Sequence, residues 1–328
     1  MSLYIIKNGL LDTLQDTGRY GYQHLGINPG GAMDTIAIQV ANALLGNDMD
    51  EAVLEMHFPA AEVLFEKSIL IALSGADISA TIDKNDVPIL QPVWIRKGSR
   101  LYFGKQKNGP RVYMGVRGGY AATKWLQSSG TNLKVKAGGF AGRALQKNDR
   151  LLLKQKTIDL QMITDKPFMA LPWKAKVSGI YTEGSFHFIP GAEYDGLNDE
   201  SKQKLETGDF LINQQSDRMG YRLEGETLSL QSPKEMISTA VTKGTMQLLP
   251  DGQLIVLMAD HQTTGGYPRV GHVISADIPS LAQIRPGEKI GFTKTNIHEA
   301  ENLLLKQQRS LQQLQNACNF RLQEYFNL

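Results

Sequence analysis

The chain has 328 residues, a formal net charge of +2 and a single cysteine. About two domains fit that length. Acids and bases are interspersed, which excludes the basic patch of a nucleic-acid binder, and no stretch approaches the roughly 20 apolar residues that span a bilayer. The opening MSLYIIKNGLLDTLQD lacks the basic start and cleavage pattern of a signal peptide. With Cys318 alone there is no intrachain disulfide, and a reducing, cytoplasmic setting is expected. Thirty-two glycines and thirteen prolines imply many tight turns and a β-rich chain.

In chain order, LYIIKNG reads as an edge strand. A glycine-punctuated loop follows, and then a helix: Met33, Ile36, Ala37, Val40, Ala43 and Leu44 recur at helical spacing, with Gly46 and Asn47 as the stop. ILIALSGADISATID reads as strand, glycine break, strand. VWIRKGSRLYFG reads as a hairpin turning at Lys97 and Gly98, and RVYMGVRGG and DRLLLK as further strands. From Lys156 to Gly179 the pattern lapses, so a boundary is set there, with domains over 1–165 and 166–295. FHFIPG, DFLIN, TLSLQ, GTMQLL, QLIVLMAD, GHVISAD and EKIGFTK then follow as short strands spaced for a barrel or sandwich. DIPSLAQI reads as a helical turn capped by Asp277 with Pro279 in its first turn. Asn296 and Glu299 resemble a capping box opening a terminal helix over 296–328. Leu304, Leu311, Leu314, Cys318 and Tyr325 form its seam, and the expected partner is its own domain.

Some chemistry is missing. GSRLYFGKQ has five residues between its glycines where a phosphate loop needs four, and glutamine where the metal-binding hydroxyl belongs. No Gly-x-Ser-x-Gly elbow occurs, and QSSGTN is not a glycine-flanked serine cluster. The six histidines are scattered, and His261 and His272 meet only across a hairpin, which argues against zinc.

Three stretches are denser in polar groups than folding requires. In LQDTGRYGYQHLGINPGGAMD, Gln15, Asp16 and Arg19 sit among glycines. The structural reading is an Asp16–Arg19 ion pair, with Asp34 at the helix start. In QSDRMGYRLEG, Arg218 and Arg222 flank a turn. They are expected either to hold a substrate carboxylate or to pair with Glu224 or Glu226. In MADHQTTGGYPRVG, Asp260 ends an apolar strand, where desolvation would make it a base. His261 is placed as a proton relay, with Gln262, Thr263 and Thr264 beside it. Thr263, Thr264 and the backbone of Gly265 and Gly266 are candidates for oxyanion donors. Tyr267 offers a wall and Arg269 a counter-charge or interface contact, while Gln247 in GTMQLL is a candidate substrate contact. The alternative is a polar turn that satisfies its own backbone.

TLQDTGRYGYQHLGINPGGAMD, ANALLGN with AVLEM, SGADISATID, SDRMGYRLEG and ADHQTTGGYPRVGHVISADIPSLAQIRPGEKIGF occur in this order. Together they resemble the allophanate hydrolase subunit 2, or biotin-dependent carboxyltransferase-like, family from about Leu3 to Phe292. Two turns depart from its pattern: Asn148 stands where a glycine is usual, and Ala60-Ala61 where Gly-Pro is usual. The resemblance implies two cyclophilin-like β-barrel domains and a partner chain of the subunit 1 type. In the 5-oxoprolinase branch, which the length favours, it implies A and B subunits as partners and the opening of 5-oxo-L-proline to L-glutamate. ATP is used by that complex and is expected on another subunit. Relatives fused into urea carboxylase imply biotin as an alternative, and relatives that bind kinase regulators imply a non-enzymatic module as another. No metal is expected in this chain.

Overall fold

A computed structural model describes residues 2–154, 165–232 and 236–327. The fold is mainly β, with helices α1 (Thr35–Leu45), α2 (Asp199–Thr207), α3 (Ile278–Leu281) and α4 (Ile297–Phe326) among the described residues. None of them is long and apolar enough to cross a membrane. The chain forms two compact units. The first takes residues up to 19, 34–177 and those from 310 on; the second takes 20–33 and 178–309. The boundary expected after residue 165 adjoins 155–164, which lie outside the described residues.

The first unit holds two six-stranded sheets. One runs in the order Arg150–Leu152, Ser2–Lys7, Glu62–Phe65, Arg100–Phe103, Ala80–Ile82, Asn85–Asp86; the other, Phe168–Ala170, Pro92–Ile95, Ile69–Gly75, Arg111–Val116, Val53–His57, Asp12–Gln15. Period-2 alternation sends Leu3, Ile5, Val63 and Leu101 of the first sheet into one core with Leu54, Ile71, Val93 and Met114 of the second. Helix α1 lies on the second sheet because its ends are specified locally. The Asp34 carboxylate accepts from the Ala37 N–H at 2.9 Å, and Gly46 takes a left-handed φ of 66°. Gly115 lets the helix come close, since a Cβ there would lie 2.9 Å from Leu45 Cδ1.

Several expectations are corrected here. LYIIKNG is not an edge: Ser2–Lys7 pairs with Arg150–Leu152 on one side and Glu62–Phe65 on the other. VWIRKGSRLYFG turns where expected, but its two strands enter different sheets and so make no hairpin. Within the supposed lapse, Phe168–Ala170 is a strand against Pro92–Ile95. The unusual Asn148 is accounted for: it adopts φ 75°, which asparagine tolerates better than most side chains, and its Oδ1 accepts from the Tyr4 hydroxyl at 2.6 Å.

The second unit is one eight-stranded sheet in the order Lys289–Ile290, Phe210–Ile212, Gly220–Gly225, Leu254–Leu257, Thr245–Leu248, Arg269–Val273, Phe186–Pro190, Phe292–Lys294. Only Gly291 separates the first strand from the last, so the sheet nearly closes into a barrel. Phe188, Phe210, Tyr221, Met246, Val256 and Phe292 fill it. TLSLQ contributes only an isolated bridge, Leu230 to Leu197. Asp277 stands at the α3 N-cap position but its side chain caps nothing there. Instead its carboxylate accepts from the His187 N–H at 2.6 Å, from His187 Nδ1 at 2.9 Å and from the Thr182 hydroxyl.

Half of the expected capping box forms at α4: Asn296 Oδ1 accepts from the Glu299 N–H at 3.0 Å, but the Glu299 carboxylate takes the Thr295 hydroxyl. Along α4, Leu311, Cys318 and Leu322 are buried, while Tyr325 is exposed and stacks edge-on to Trp173. The seam therefore runs through Leu322 rather than ending on a buried Tyr325.

Candidate functional site

The barrel of the second unit carries a cavity of about 620 Å³ on its outer face. The floor follows from strand register. Tyr221, Val256 and Met246 pair directly and point into the core, so their neighbours Arg222, Ile255 and Gln247, also in register, point the other way. Gly220 and Leu257 make the next row. A side chain at Gly220 would strike Ile255 at 2.8 Å, so glycine keeps the floor open. Gln215, Asp217 and Met219 form one wall, Leu249, Pro250 and Asp251 another, and His261, Gln262 and Tyr267 a third.

The third wall is the motif singled out in the sequence. Its strand continues past Leu257: Met258 N–H reaches Met219 O at 3.0 Å and Asp260 N–H reaches Arg218 O at 2.7 Å. That places the two side chains together. Arg218 Nε and Nη2 donate to the two oxygens of Asp260 at 2.8 and 3.1 Å, and Nη2 also donates to Gly31 O at 2.7 Å. Arg218 is only 4% exposed. It is therefore committed to Asp260 rather than to Glu224, Glu226 or a substrate carboxylate. Asp260, whose side chain is 21% exposed, is a bidentate counter-ion and not an isolated desolvated carboxylate. Neither residue lines the cavity.

His261 does line it, although it is 2% exposed. Its Nδ1 lies 2.5 Å from Gln262 O. A carbonyl only accepts, so Nδ1 carries the proton and Nε2 carries the lone pair. Among the described residues Nε2 has no hydrogen-bond partner. Burial holds the ring below its ordinary value of 6.5; the Gln262 carbonyl and Asp260 pull upward and nearby Lys243 downward. His272 is lowered too, by burial and then by the proximity of His261. Among the described residues no three His, Cys, Asp or Glu side chains could hold a metal ion.

The expected oxyanion turn is placed differently. Thr263 O accepts from Val241 N–H at 3.0 Å, and Thr264 and Gly265 form a two-residue strand against Ala240 and Thr239. That backbone is engaged in pairing, and neither threonine nor Gly266 lines the cavity. The Gln247 side chain does line it. Gln247 is 1% exposed, and among the described residues its amide nitrogen has no hydrogen-bond partner. Arg222 lines the cavity and is exposed. Arg269 is not a site cation: its Nε and Nη2 each lie 3.1 Å from Glu193 oxygens. Sequence reasoning passed over Asp217, Ile255 and Asp251. Strand alternation signals Ile255; nothing local signals the two acids.

The first stretch builds a different cluster, in the first unit. The Asp16 carboxylate accepts from Ser128 Oγ at 2.7 Å, from Ser129 N–H at 2.5 Å and from Gly18 N–H at 2.9 Å. Arg19 donates to Gly130 O and stacks 4.9 Å over Trp125. Gln15 donates to Thr13 Oγ1 at 3.0 Å and to Thr131 O at 3.2 Å. In place of a local Asp16–Arg19 pair, both residues pin the QSSGTN segment, more than a hundred residues away. Asp34 caps α1 as expected.

The carboxyltransferase domain family, subdomain A and B, matches residues 25–294. The chain is similar to the C subunit of 5-oxoprolinase from Escherichia coli (strain K12), 36% identical over 315 residues, which cover 95% of this chain and 97% of that one. The corresponding C subunit from Haemophilus influenzae is 34% identical, covering 92% and 94%. The crystal structure of the Kluyveromyces lactis urea carboxylase superposes with a TM-score of 0.84 at 24% identity, over 95% of this chain but 29% of that one, and so shares the fold. The chain thus belongs to the carboxyltransferase subdomain A and B family, among relatives that are 5-oxoprolinase C subunits.

Proposed function

We propose that this chain is the C subunit of a 5-oxoprolinase, a cytoplasmic component that acts with A and B subunits on 5-oxo-L-proline. The observation that carries the reading is the end-to-end similarity to two C subunits, at 36% and 34% identity over more than nine-tenths of each chain. The cavity on the outer face of the barrel is its contribution to substrate binding. Opening the ring adds water across the amide bond: the carbonyl carbon gains oxygen, the nitrogen gains a proton, and L-glutamate results. His261 Nε2, neutral and carrying a lone pair, is the proton-handling group in this reading, and the Asp260–Arg218 pair fixes the segment that presents it.

ATP does not fit this cavity as a bound polyphosphate. Asp217 and Asp251 line it against one arginine, Arg222, and two carboxylates repel the phosphates one guanidinium attracts. In this reading the energy-coupling step is assigned to another subunit, and activity requires the complex. Reconstitution with the A and B subunits, followed by measurement of ATP-dependent glutamate release, tests the proposal. A complete complex that releases none overturns it.

A second reading has its own support in the carboxyltransferase family match and the urea carboxylase fold. In it the chain transfers carboxyl from biotin to an amide. Carboxyl transfer from a biotin carrier without lactam turnover would select it.

A further inference from the structure

We infer that the outer-face cavity of the second unit takes an α-amino acid as its zwitterion, with Arg222 on the carboxylate and Asp217 on the ammonium. The choice of L-glutamate as that amino acid rests on the 5-oxoprolinase reading, in which it is the product of ring opening; the pairing of charges does not.

The cavity carries charge of both signs that is not spent on itself. Arg222 is exposed, and among the described residues its guanidinium has no hydrogen bond and no ion pair, although Asp217 and Asp251 line the same cavity. Glu224, two residues along the strand, accepts from the Asn213 side-chain amide instead. A guanidinium and two carboxylates that share one cavity without pairing stand farther apart than an ion pair, and a small dipolar molecule fits between them.

The backbone fixes that spacing. Asp217 lies in the turn that enters the strand Gly220–Gly225. Its Oδ1 accepts from the Met219 and Gly220 N–H groups at 2.7 and 3.2 Å, and its own N–H donates to Gly220 O at 3.2 Å. The carboxylate is thereby held, and Oδ2 is left as an acceptor. Arg222 follows on the same face of the strand, about 7 Å beyond Gly220. Gly220 itself adds no side chain, and Ile255 lies over it, since a Cβ there would be 2.8 Å from Ile255 Cδ1. The gap between acid and guanidinium is thus floored by Ile255 and Leu257. An α-amino acid carries its two charges on groups bound to one carbon, so it spans the gap and lays its methylenes on that floor. Asp251 stands past the other end of the row, in the turn before Leu254; it is exposed, and its Oδ1 takes the Gln253 N–H at 3.0 Å.

Other ligands match these charges less well. A phosphate meets two carboxylates for one guanidinium, and a simple amine leaves Arg222 unpaired. A lactam acid satisfies Arg222 but brings an uncharged nitrogen to Asp217. Hydrolysis breaks its C–N bond, puts the oxygen of water on the carbon and both protons of water on the nitrogen, which becomes an ammonium. The same site then holds the carboxylate before and after opening and favours the opened form.

Calorimetry at about pH 7 on the full chain, without ATP, would compare four probes: L-glutamate; glutarate, which lacks the ammonium; γ-aminobutyrate, which lacks the α-carboxylate; and 5-oxo-L-proline. L-Glutamate is expected to bind at least about tenfold more tightly than each of the others, the size of one charge-assisted hydrogen bond. Asp217→Asn keeps Oδ1 for the turn and is expected to erase the preference over glutarate. Arg222→Gln is expected to erase the preference over γ-aminobutyrate. Asp251→Asn is expected to cost less than Asp217→Asn, and the reverse order overturns the assignment of the ammonium. No binding of L-glutamate to the wild-type chain, or glutarate or 5-oxo-L-proline bound as tightly, overturns the inference without recourse to any variant. Glutamate release by the reconstituted complex is scored separately. A complex that releases glutamate while the chain shows no ammonium preference loses this inference and keeps the proposed function. A chain that shows the preference in a complex that releases none keeps the inference and loses the function.

Discussion

Replacing Asp260 by asparagine separates a structural from a catalytic role for that residue. Arg218 is 4% exposed, and Asp260 meets it with two hydrogen bonds of 2.8 and 3.1 Å. Removing one partner of a fully buried pair costs about 3–5 kcal/mol, because the other charge is left uncompensated. Here the carboxylate side chain is 21% exposed, asparagine retains one acceptor, and Gly31 O still receives Nη2. The expected loss is therefore reduced to about 2–3 kcal/mol. In a unit of this size that lowers the thermal midpoint by roughly 5–10 °C. Scanning calorimetry on the isolated chain gives that number, and glutamate release by the reconstituted complex gives the other. Below the new midpoint, turnover is expected to fall by less than about tenfold. An unchanged midpoint with turnover down by about 10² or more, the range typical of a lost general base, would refute the structural assignment and make Asp260 the base.

Four further outcomes are expected. Burial holds the His261 ring below 6.5, so its NMR titration is expected to have a midpoint below the ordinary value; a midpoint at or above that value would contradict this. The same depression makes the two histidines proton-poor when folded, so their share of stability is present above 6.5 and is lost on acidification; urea midpoints that rise below about pH 6 would contradict it. Asp12 runs the other way. Burial raises its carboxyl from 3.8 to about 7, so the folded state binds the proton more tightly and stability is lost as pH rises through that window. Asp12→Asn should gain on wild type by up to about 4 kcal/mol between about pH 4 and pH 8, and parallel stability curves would refute it. Cys318 is buried and pushed up to about 11, so iodoacetamide at about pH 8 should label it only on unfolding.

How much of this was legible depended on how local each determinant is. Helix α1 could be read because its cap, its spacing and its stop lie within one short segment, Asp34 to Gly46. The partner of a strand is not local, which is why Ser2–Lys7 passed for an edge and why Pro92–Ile95 and Arg100–Phe103 passed for a hairpin. Phe168–Ala170 is three residues long and sits beside Pro167, and only its pairing to Pro92–Ile95 makes it a strand. The barrel itself was legible in outline, since short alternating strands with frequent turns admit few other closures. Its near-closure through Gly291 was not.

The same distinction governs the site. MADHQTTGGYPRVG is dense in polar groups, but the strand end alone shows only part of their surroundings. Asp260 seemed desolvated because its partner, Arg218, lies forty-two residues earlier. That guanidinium takes both carboxylate oxygens, and the side chains of the motif that line the cavity are His261, Gln262 and Tyr267. The turn backbone pairs with Thr239 and Ala240, and Gln247, on a barrel strand, lines the cavity. The cavity also holds Asp217 and Asp251 beside Arg222. On the proposed 5-oxoprolinase reading, two carboxylates beside one guanidinium make this face a poor holder of phosphates, and the driving force for ring opening is assigned to another subunit.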